Sequence, residues 1–437
     1  MSTTPTNRTP DELSSFVHTW ETRNGDRVFF DTARMSVVKT DATDIEHALE
    51  DEAIRQQLKD AGMLTEADSP TAEQPTAEQR WEPLRNVELN TLYIVLNRDC
   101  NFDCGYCFLP PEHRRIDPDD ARRAIELLDE TDRPFKHIVF YGGEPLISFD
   151  LIRELVAETG DEWGYSLATN GSLIDEEIAQ FFVEHDFKVS LSVDGPPEIH
   201  DQVRRLPDGS GTYARVVRGA RHLEHAGQSY QVMVTVNEHN TDRLTYVVDY
   251  LDREFEHEGI SLNFPCLSGR GDVGPTSGVT PEELADAWIG LIDAYSKGSI
   301  DVLPTNIYNR WIRPLSKGVP AELFCGGCQT HAIVSPDGRL GPCMAADTHP
   351  ESDVEVFWRD LDELDSIEAY ENSQLAEDWQ GTLPIEREEC RNCHGFGVCG
   401  GGCPYDGYSI TGEIETKDPR YCQFVRTVVK EVVERWA

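Results

Sequence analysis

Hydrophobic and polar positions between residue 92 and about residue 267 predict short strands separated by helices. Short apolar runs rich in β-branched and aromatic residues are typical of buried strands. The predicted strands are Leu92–Leu96, His137–Tyr141, Gly164–Ala168, Lys188–Val193, Tyr230–Val236 and Ile260–Phe264. Strands that alternate with helices predict a parallel sheet with right-handed crossovers. Six such units are too few for a closed eight-stranded barrel, so we expect an α/β fold: a partial (β/α)6 barrel with a wide mouth.

The residues before this barrel predict a small α+β domain over residues 16–64. Two predicted strands, Phe16–Trp20 and Arg27–Phe30, flank Asn24-Gly25, which is a strong hairpin signal. Met35–Lys39 predicts a third strand, and the pattern over Asp44–Leu64 is helical. On either side the chain is polar. We expect residues 1–15 to be disordered and residues 65–81, which repeat the pentapeptide Pro-Thr-Ala-Glu-Gln, to form a linker.

The remaining chain divides into three parts. We assign residues 82–275 to the barrel and residues 276–324 to a helical connection, which starts with a capping box at Thr280 and Glu283. Residues 325–437 are rich in cysteine and glycine and end in an amphipathic helix, Arg420–Trp436. A segment of this composition has little apolar core of its own, so we expect metal to stabilise it.

Charge narrows the range of partners. The chain has 80 acidic and 39 basic residues and a formal net charge of −41. Nucleic acids and anionic membranes would repel such a surface, and no apolar run approaches the roughly 20 residues that span a bilayer. The acidic residues are spread along the whole chain and lysine is scarce, as in proteins of salt-loving archaea. We interpret this as a halophilic surface, on which salt screens self-repulsion.

Cysteine usage predicts metal binding in a reducing compartment. Residues 1–15 carry no apolar core of a secretory signal. Twelve cysteines in 437 residues lie far below the density of a disulfide scaffold. Their tight clusters favour metal sites in a cytoplasmic protein.

The first cluster, Cys100, Cys104 and Cys107, directly follows the predicted strand Leu92–Leu96. It therefore lies at the carboxyl end of a strand, where α/β barrels keep their chemistry. Three thiolates can ligate three irons of a four-iron cluster and leave the fourth iron open. A zinc knuckle or a redox pair is the alternative. The spacing, with a tyrosine before the third cysteine, resembles the signature of radical S-adenosylmethionine (radical SAM) enzymes.

That resemblance extends to the ends of the later strands and implies which residues bind the cofactor. Gly142-Gly143-Glu144-Pro145 resembles the motif that binds the amino group of S-adenosylmethionine, and Glu144 would accept from the ammonium. Ser192 and an arginine, Arg204 or Arg215, would meet its carboxylate and ribose, and Tyr106 would lie against its adenine. The implied cofactor-binding residues are Tyr106, Gly142, Gly143, Glu144, Asn170, Ser192 and Arg204. Loop capping for Asn170 and an ion pair for Arg204 are the structural alternatives.

The C-terminal cysteines resemble the extension called the SPASM domain, which houses auxiliary iron–sulfur clusters. Cys328 is followed by nine residues, Gly338, four residues and Cys343, and then by Cys390-x2-Cys393-x5-Cys399-x3-Cys403 and Cys422. The resemblance implies one [4Fe–4S] cluster on Cys325, Cys328, Cys343 and Cys403, and a second on Cys390, Cys393, Cys399 and Cys422. Two four-cysteine zinc sites are the alternative. Cys266, in the sixth predicted strand, is left over and is expected to be a small buried side chain.

By resemblance, the chain is an oxidoreductase that uses three [4Fe–4S] clusters and S-adenosylmethionine to generate a 5′-deoxyadenosyl radical. We expect it to modify a peptide or protein side chain by a thioether or carbon–carbon crosslink, with a ferredoxin or flavodoxin as electron donor. Residues 16–64 resemble a truncated winged-helix domain that captures a leader peptide at a sheet edge; a structural cap is the alternative. Two other functions remain open: maturation of a partner sulfatase or dehydrogenase, and a non-enzymatic iron–sulfur scaffold. In sulfatase-maturating relatives an aspartate follows the cysteine equivalent to Cys343, whereas Met344 follows it here and Asp347 comes later.

Overall fold

A computed structural model describes residues 13–65, 88–109, 112–264, 278–321, 323–348, 354–414 and 416–436. Most of the predicted N-terminal tail, nearly all of the predicted linker and Cys266 lie outside these residues. None of the helices in the described ranges is long and apolar enough to cross a membrane.

The N-terminal residues form the small α+β unit that the sequence predicts. Its antiparallel sheet has the order β1 (Val17–Glu21), β2 (Arg27–Asp31) and β3 (Ser36–Thr40). Gly25 turns the first hairpin with a φ of +88°, a conformation that favours glycine. Helices Ile45–Glu50 and Glu52–Asp60 cover the sheet and enclose a separate apolar core that includes Phe29, Val38 and Leu58.

A second, larger sheet contains all six strands predicted for the barrel. They are β4 (Thr91–Asn97), β5 (Lys136–Gly142), β6 (Trp163–Thr169), β7 (Lys188–Ser192), β8 (Tyr230–Thr235) and β9 (Gly259–Asn263). Each is parallel to the next. The strand order runs linearly to β9 without closing on itself, which confirms the partial barrel. Their alternate side chains build one continuous apolar core with the surrounding helices.

Helices follow most of these strands and place the strand ends side by side. In the barrel they are Pro118–Asp129, Phe149–Thr159, Glu176–Glu184, Pro197–Val203, Tyr213–Ala226 and Leu244–Glu254. The connection carries Pro281–Ser296, Thr305–Ile307, the π-helical turn Tyr308–Ile312 and Arg313–Lys317. The C-terminal part carries Val354–Phe357, Ile367–Glu371, Gln374–Gln380, Glu388–Arg391, Phe396–Cys399, Pro404–Thr411 and Pro419–Trp436.

The cysteine-rich segment also contributes strands to the barrel sheet, which the pattern of residues does not predict. β10 (His331–Val334) pairs in parallel with β4, and the short strands β11 (Arg339–Gly341) and β12 (Arg359–Asp360) extend the sheet further. The sheet therefore has nine strands within the described residues. The first cysteines of the C-terminal part are consequently fixed beside the strand that precedes Cys100.

Candidate active site

The first three cysteines lie on the loop after β4, at the edge of the sheet where the parallel strands end. Two backbone hydrogen bonds hold this loop against the segment after helix Pro197–Val203: Asp103 N–H to Arg205 O at 2.6 Å and Gly105 N–H to Val203 O at 2.9 Å. The Phe102 N–H points at the sulfur of Cys100 at 3.4 Å. A backbone donor to sulfur favours the thiolate that a metal requires.

Burial disfavours the thiolate form of these cysteines unless a cation binds beside them. It raises the pKa of Cys100 to about 12 and of Cys104 to about 12, and the neighbouring Cys107 raises both further. Arg204 acts in the opposite direction on both thiols. Deprotonation at neutral pH therefore needs positive charge, which iron would supply. The donor set fits a [4Fe–4S] cluster.

Gly142 and Gly143 bring the end of β5 against the cysteine loop. A Cβ on Gly142 would lie 2.5 Å from the carbonyl oxygen of Asn97, and one on Gly143 would overlap the carbonyl of Asp99. Gly142 also has a φ of +154°. The Glu144 N–H then donates to Asp99 O at 2.8 Å. Both glycines are therefore required by packing of backbone on backbone.

Glu144 is 1% exposed and lies between the ends of β5 and β6. Its carboxylate accepts from the Thr169 hydroxyl at 2.7 Å, the Asn170 N–H at 2.8 Å and the Leu146 N–H at 3.1 Å. Burial raises its pKa to about 7, although these three donors oppose the rise. An ammonium group beside it would restore the ionised form.

Asn170 is part of a hydrogen-bonded cluster below the cysteine loop. Its side-chain amide donates to Asn101 Oδ1 at 2.9 Å, and Asn101 in turn donates to Ser172 at 2.8 Å. Asn170 also accepts from the Ser172 hydroxyl at 2.7 Å. Asn101, which the sequence did not single out, thereby links the residue after Cys100 to the end of β6.

Tyr106 and Arg204 meet at a carboxylate that sequence reasoning did not select, Asp194. Arg204 Nε donates to Asp194 Oδ2 at 2.9 Å and Nη2 donates to Oδ1 at 3.2 Å. The guanidinium lies 5.4 Å from the centre of the Tyr106 ring; Asp194 and Arg204 are buried and Tyr106 is partly buried. Ser192, two residues before Asp194, is half-buried and makes no side-chain hydrogen bond in the described part of the chain. The sequence did contain a signal for Asp194, because this carboxylate directly follows the predicted strand Lys188–Val193.

Among the C-terminal cysteines, Cys328 is buried and the others are partly buried. Cys328 is buried and its pKa is raised to about 12 by burial, with Cys325 adding to the rise. Cys390, Cys393 and Cys422 are half-buried, and Cys422 interacts electrostatically with both of the others. The partly buried Cys399 interacts electrostatically with Cys422 and Cys393. These pairwise interactions place Cys390, Cys393, Cys399 and Cys422 in the same region of the structure.

Cys343 and Cys403 flank well-defined turns. Cys343 follows β11, whose preceding turn contains Gly338 with a φ of +69°; a Cβ there would approach the Asp120 carboxylate to 2.6 Å. Cys403 begins helix Pro404–Thr411, and its sulfur accepts from the Asp406 N–H at 3.4 Å. Gly338 of the predicted pattern is thus a residue whose backbone conformation requires glycine.

The sequence profile of the Radical SAM superfamily matches residues 94–251. This span contains the three-cysteine loop and strands β5 to β8. Residues 94–251 therefore form a Radical SAM domain, and the superfamily implies a [4Fe–4S] cluster and S-adenosylmethionine as its cofactors.

More specific similarities point to maturation enzymes. An uncharacterized protein of Archaeoglobus fulgidus is 28% identical over 80% of this chain and 82% of its own length. The cysteine-type anaerobic sulfatase-maturating enzyme of Clostridium novyi is 25% identical over 72% of this chain and 87% of its own. The serine-type enzyme of Klebsiella aerogenes is 28% identical over 74% and 81%.

Solved structures share the fold. Native anSMEcpe with bound AdoMet superposes with a TM-score of 0.65 at 21% identity, covering 79% of this chain and 97% of that one. Streptococcus suis SuiB bound to precursor peptide SuiA gives a TM-score of 0.58 at 16% identity, covering 94% and 99%.

Proposed function

We propose that this radical SAM enzyme modifies a side chain of a ribosomally made peptide by forming a thioether or carbon–carbon crosslink. The observation that carries the proposal is the three-thiol loop at the open end of a partial barrel, accompanied by a separate N-terminal α+β unit. When bound, the cluster and S-adenosylmethionine would supply a 5′-deoxyadenosyl radical, and the protein would position substrate and exclude water.

The cofactor-binding residues are proposed on their placement around the cysteine loop. Cys100, Cys104 and Cys107 would ligate the cluster. Glu144 would accept from the cofactor's ammonium, since it is the buried carboxylate beside the Gly142-Gly143 turn. Ser192 would meet a polar group of the cofactor with its uncommitted hydroxyl. The other proposed cofactor-binding residues are Tyr106, Asn170 and Arg204. Arg204, which is held by its ion pair with Asp194, would place a positive charge beside the thiolates.

The eight C-terminal cysteines would hold two auxiliary [4Fe–4S] clusters in a SPASM domain. The pairwise interactions among Cys390, Cys393, Cys399 and Cys422 support the second ligand set. Four thiolates on each cluster would leave no open iron, which suits electron transfer. Free thiols of this number also suit the cytoplasm, and the acidic surface suits high salt.

We assign peptide capture to the N-terminal unit. β3 is an edge strand of its sheet, and no other strand in the described residues pairs with its outer side. A peptide could add there as a further strand. The SuiB structure, solved with its precursor peptide, covers 94% of this chain. The unmatched residues are fewer than those of the N-terminal unit, so the match includes at least part of that unit.

An acidic electron donor such as a ferredoxin or flavodoxin would dock near Cys393. A cavity of about 520 Å³ there is lined by two cationic side chains, Arg426 and Lys430, and by Glu431 among others. The sulfur of Cys393 raises the pKa of Arg426 by hydrogen bonding, so this cavity adjoins Cys393. Lys430→Glu should raise the KM for an acidic donor protein and leave turnover driven by dithionite unchanged; an unchanged KM would contradict this docking site.

The decisive experiment is mass spectrometry of a candidate peptide encoded beside the gene, co-expressed with the enzyme. Cys107→Ala is the matched control. We expect a loss of two hydrogens with the intact enzyme and an unchanged mass with the variant. The purified enzyme should also release 5′-deoxyadenosine from S-adenosylmethionine under reducing conditions. Absence of 5′-deoxyadenosine would favour a non-enzymatic iron–sulfur scaffold.

Maturation of a partner enzyme is the second candidate, favoured by the 25–28% identity to sulfatase-maturating enzymes. Met344, rather than an aspartate, follows Cys343, which argues against formylglycine formation. A sulfatase peptide containing the target cysteine or serine tests this directly. Formation of formylglycine in that peptide would overturn the crosslinking proposal.

A further inference from the structure

Two aromatic side chains with polar hydrogens are buried beside the first C-terminal cysteines. Tyr370 lies on helix Ile367–Glu371 and is 0% exposed; Trp379 lies on the next helix, Gln374–Gln380, and is 2% exposed. A hydroxyl or indole N–H at such depth must find an acceptor or lose about 1–3 kcal/mol. Neither residue belongs to the cysteine pattern or to the cofactor site described above.

The hydroxyl of Tyr370 is directed at a cysteine sulfur. Its Oη lies 3.2 Å from Cys328 Sγ, within the range of a hydrogen bond to sulfur. Cys328 is itself 1% exposed. Because a thiolate accepts but cannot donate, metal-bound Cys328 would leave Tyr370 as the donor.

The indole N–H of Trp379 lies against the same loop. Trp379 Nε1 has no partner of ordinary hydrogen-bond geometry among the residues that the structure describes. A Cβ placed on Gly327, between the two cysteines, would lie 3.0 Å from this nitrogen, so the N–H lies directly against the Cys325–Cys328 turn. Burial raises the pKa of the Cys325 thiol, and hydrogen bonds from the Gly327 N–H and, less strongly, from the Trp379 side chain oppose that rise. The Cys325 sulfur is therefore the candidate acceptor for the Trp379 N–H.

We propose that Tyr370 and Trp379 are hydrogen-bond donors to the thiolates of Cys328 and Cys325, and that they raise the reduction potential of the cluster these cysteines hold. This inference rests on the auxiliary clusters proposed above. One-electron reduction adds a negative charge to the cluster, and donors to its sulfurs stabilise the reduced form more than the oxidised form. Cations lie near both ligand sets: Arg359 near Cys328, and Lys417 and Arg426 near Cys422. At Cys328 the hydrogen bond with Tyr370 opposes the effect of burial more strongly than Arg359 does.

Redox titration of the reconstituted full chain, monitored by electron paramagnetic resonance, tests the proposal. Cys100, Cys104 and Cys107 are replaced by alanine so that the signal comes from the C-terminal clusters. Tyr370→Phe should move the midpoint of one cluster to more negative potential, Trp379→Phe should move the same midpoint, and the double variant should move it further. A tenfold change in the reduction equilibrium corresponds to about 59 mV for one electron.

Matched controls carry the same substitutions elsewhere in the core. Tyr165 donates to the backbone of Gly160 in the barrel, and Trp288 packs on Phe424; Tyr165→Phe and Trp288→Phe should leave both midpoints unmoved. Normal iron content with unmoved midpoints in Tyr370→Phe and Trp379→Phe would overturn the proposal, as would an equal shift in the controls.

Two further readouts keep the result decisive. If Tyr370→Phe fails to fold, Trp379→Phe decides alone, together with the Fe–S stretching frequencies in H2O and D2O: adding Trp379→Phe to the alanine-substituted chain should make the isotope shift smaller, and an unchanged isotope shift would overturn the proposal. The wild-type chain separates this inference from the radical SAM activity. If iron binds to the first three cysteines but not to the C-terminal part, the proposed auxiliary clusters and this inference are both wrong. The proposed radical SAM activity would not be affected by that result.

Discussion

Tyr106 donates a hydrogen bond to Asp194 Oδ2 over 2.5 Å, joining the residue before the third cysteine to the end of a strand 88 positions later. The same carboxylate pairs with Arg204 and accepts the Thr235 N–H at 2.9 Å. Asp194 therefore fixes the cysteine loop, the end of β7 and the end of β8 relative to one another. A carboxylate that is 0% exposed is tolerated there because a charge and two donors satisfy it.

Asp194→Asn should strongly destabilise the protein, because it removes the charge that balances buried Arg204. Breaking one side of a buried ion pair costs about 3–5 kcal/mol, whereas Tyr106→Phe should cost about 1 kcal/mol. Anaerobic denaturant unfolding measures both. As a control, Glu154→Gln, which removes an exposed partner of Arg122, should cause no measurable change. Equal stability of Asp194→Asn and the wild type would contradict the role of Asp194.

Cys104→Ala should remove one cluster and leave the C-terminal iron in place. Since a four-iron cluster with two thiolates is poorly held, we expect a loss of about four of about twelve irons per chain and no 5′-deoxyadenosine. Iron analysis and chromatography measure the two effects. Cys390→Ala is the comparison: it should lose a similar amount of iron from the other end of the chain. Full iron in Cys104→Ala would refute ligation by this residue.

The N-terminal unit is seated on the turn between Cys393 and Cys399, and Gly397→Ala should disturb this contact. A Cβ on Gly397 would overlap the Met35 sulfur and the Thr32 carbonyl, and Phe16 packs on Phe396 at 5.5 Å. We expect a loss of about 1–3 kcal/mol and faster proteolysis within residues 13–65.

Gly290→Ala provides the control for that experiment. Gly290 lies in helix Pro281–Ser296 with nothing within 4 Å of an added Cβ, so alanine should stabilise the helix by about 0.5–1 kcal/mol. If Gly397→Ala changes neither stability nor proteolysis, the N-terminal unit is not closely packed on the turn that contains Gly397.

Acid should weaken the fold through its buried histidines, of which His137 is the clearest to test. Burial and nearby Lys188 lower its pKa to about 4 from an ordinary value of 6.5. Between these values the unfolded chain binds more protons than the native one, so stability falls as pH falls. Relative to His137→Gln, the wild type should lose about 2 kcal/mol between about pH 7 and about pH 5. Parallel pH profiles of the two unfolding free energies would contradict this, and His225→Gln, on the surface, should follow the wild type.

Local patterns were sufficient for the N-terminal sheet and for the six barrel strands, but not for β10, β11 and β12. All six barrel strands and all three N-terminal strands occur where apolar runs and the Asn24-Gly25 turn predict them, with ends shifted by a few residues. These features depend on neighbouring residues, through side-chain alternation and turn chemistry. Spacing likewise marked the three cysteines after β4.

The partners of these elements were decided only by the tertiary structure. No local pattern indicates that β10 pairs with β4 across more than 230 residues of chain, that Asp194 joins Tyr106 to Arg204, or that the Tyr370 hydroxyl contacts the Cys328 sulfur. Such contacts depend on how separate apolar faces pack and on which buried polar groups then need partners. Sequence alone therefore determined which residues form the N-terminal strands, the six barrel strands and the cysteine loop after β4, and the packed fold determined which side chains surround them.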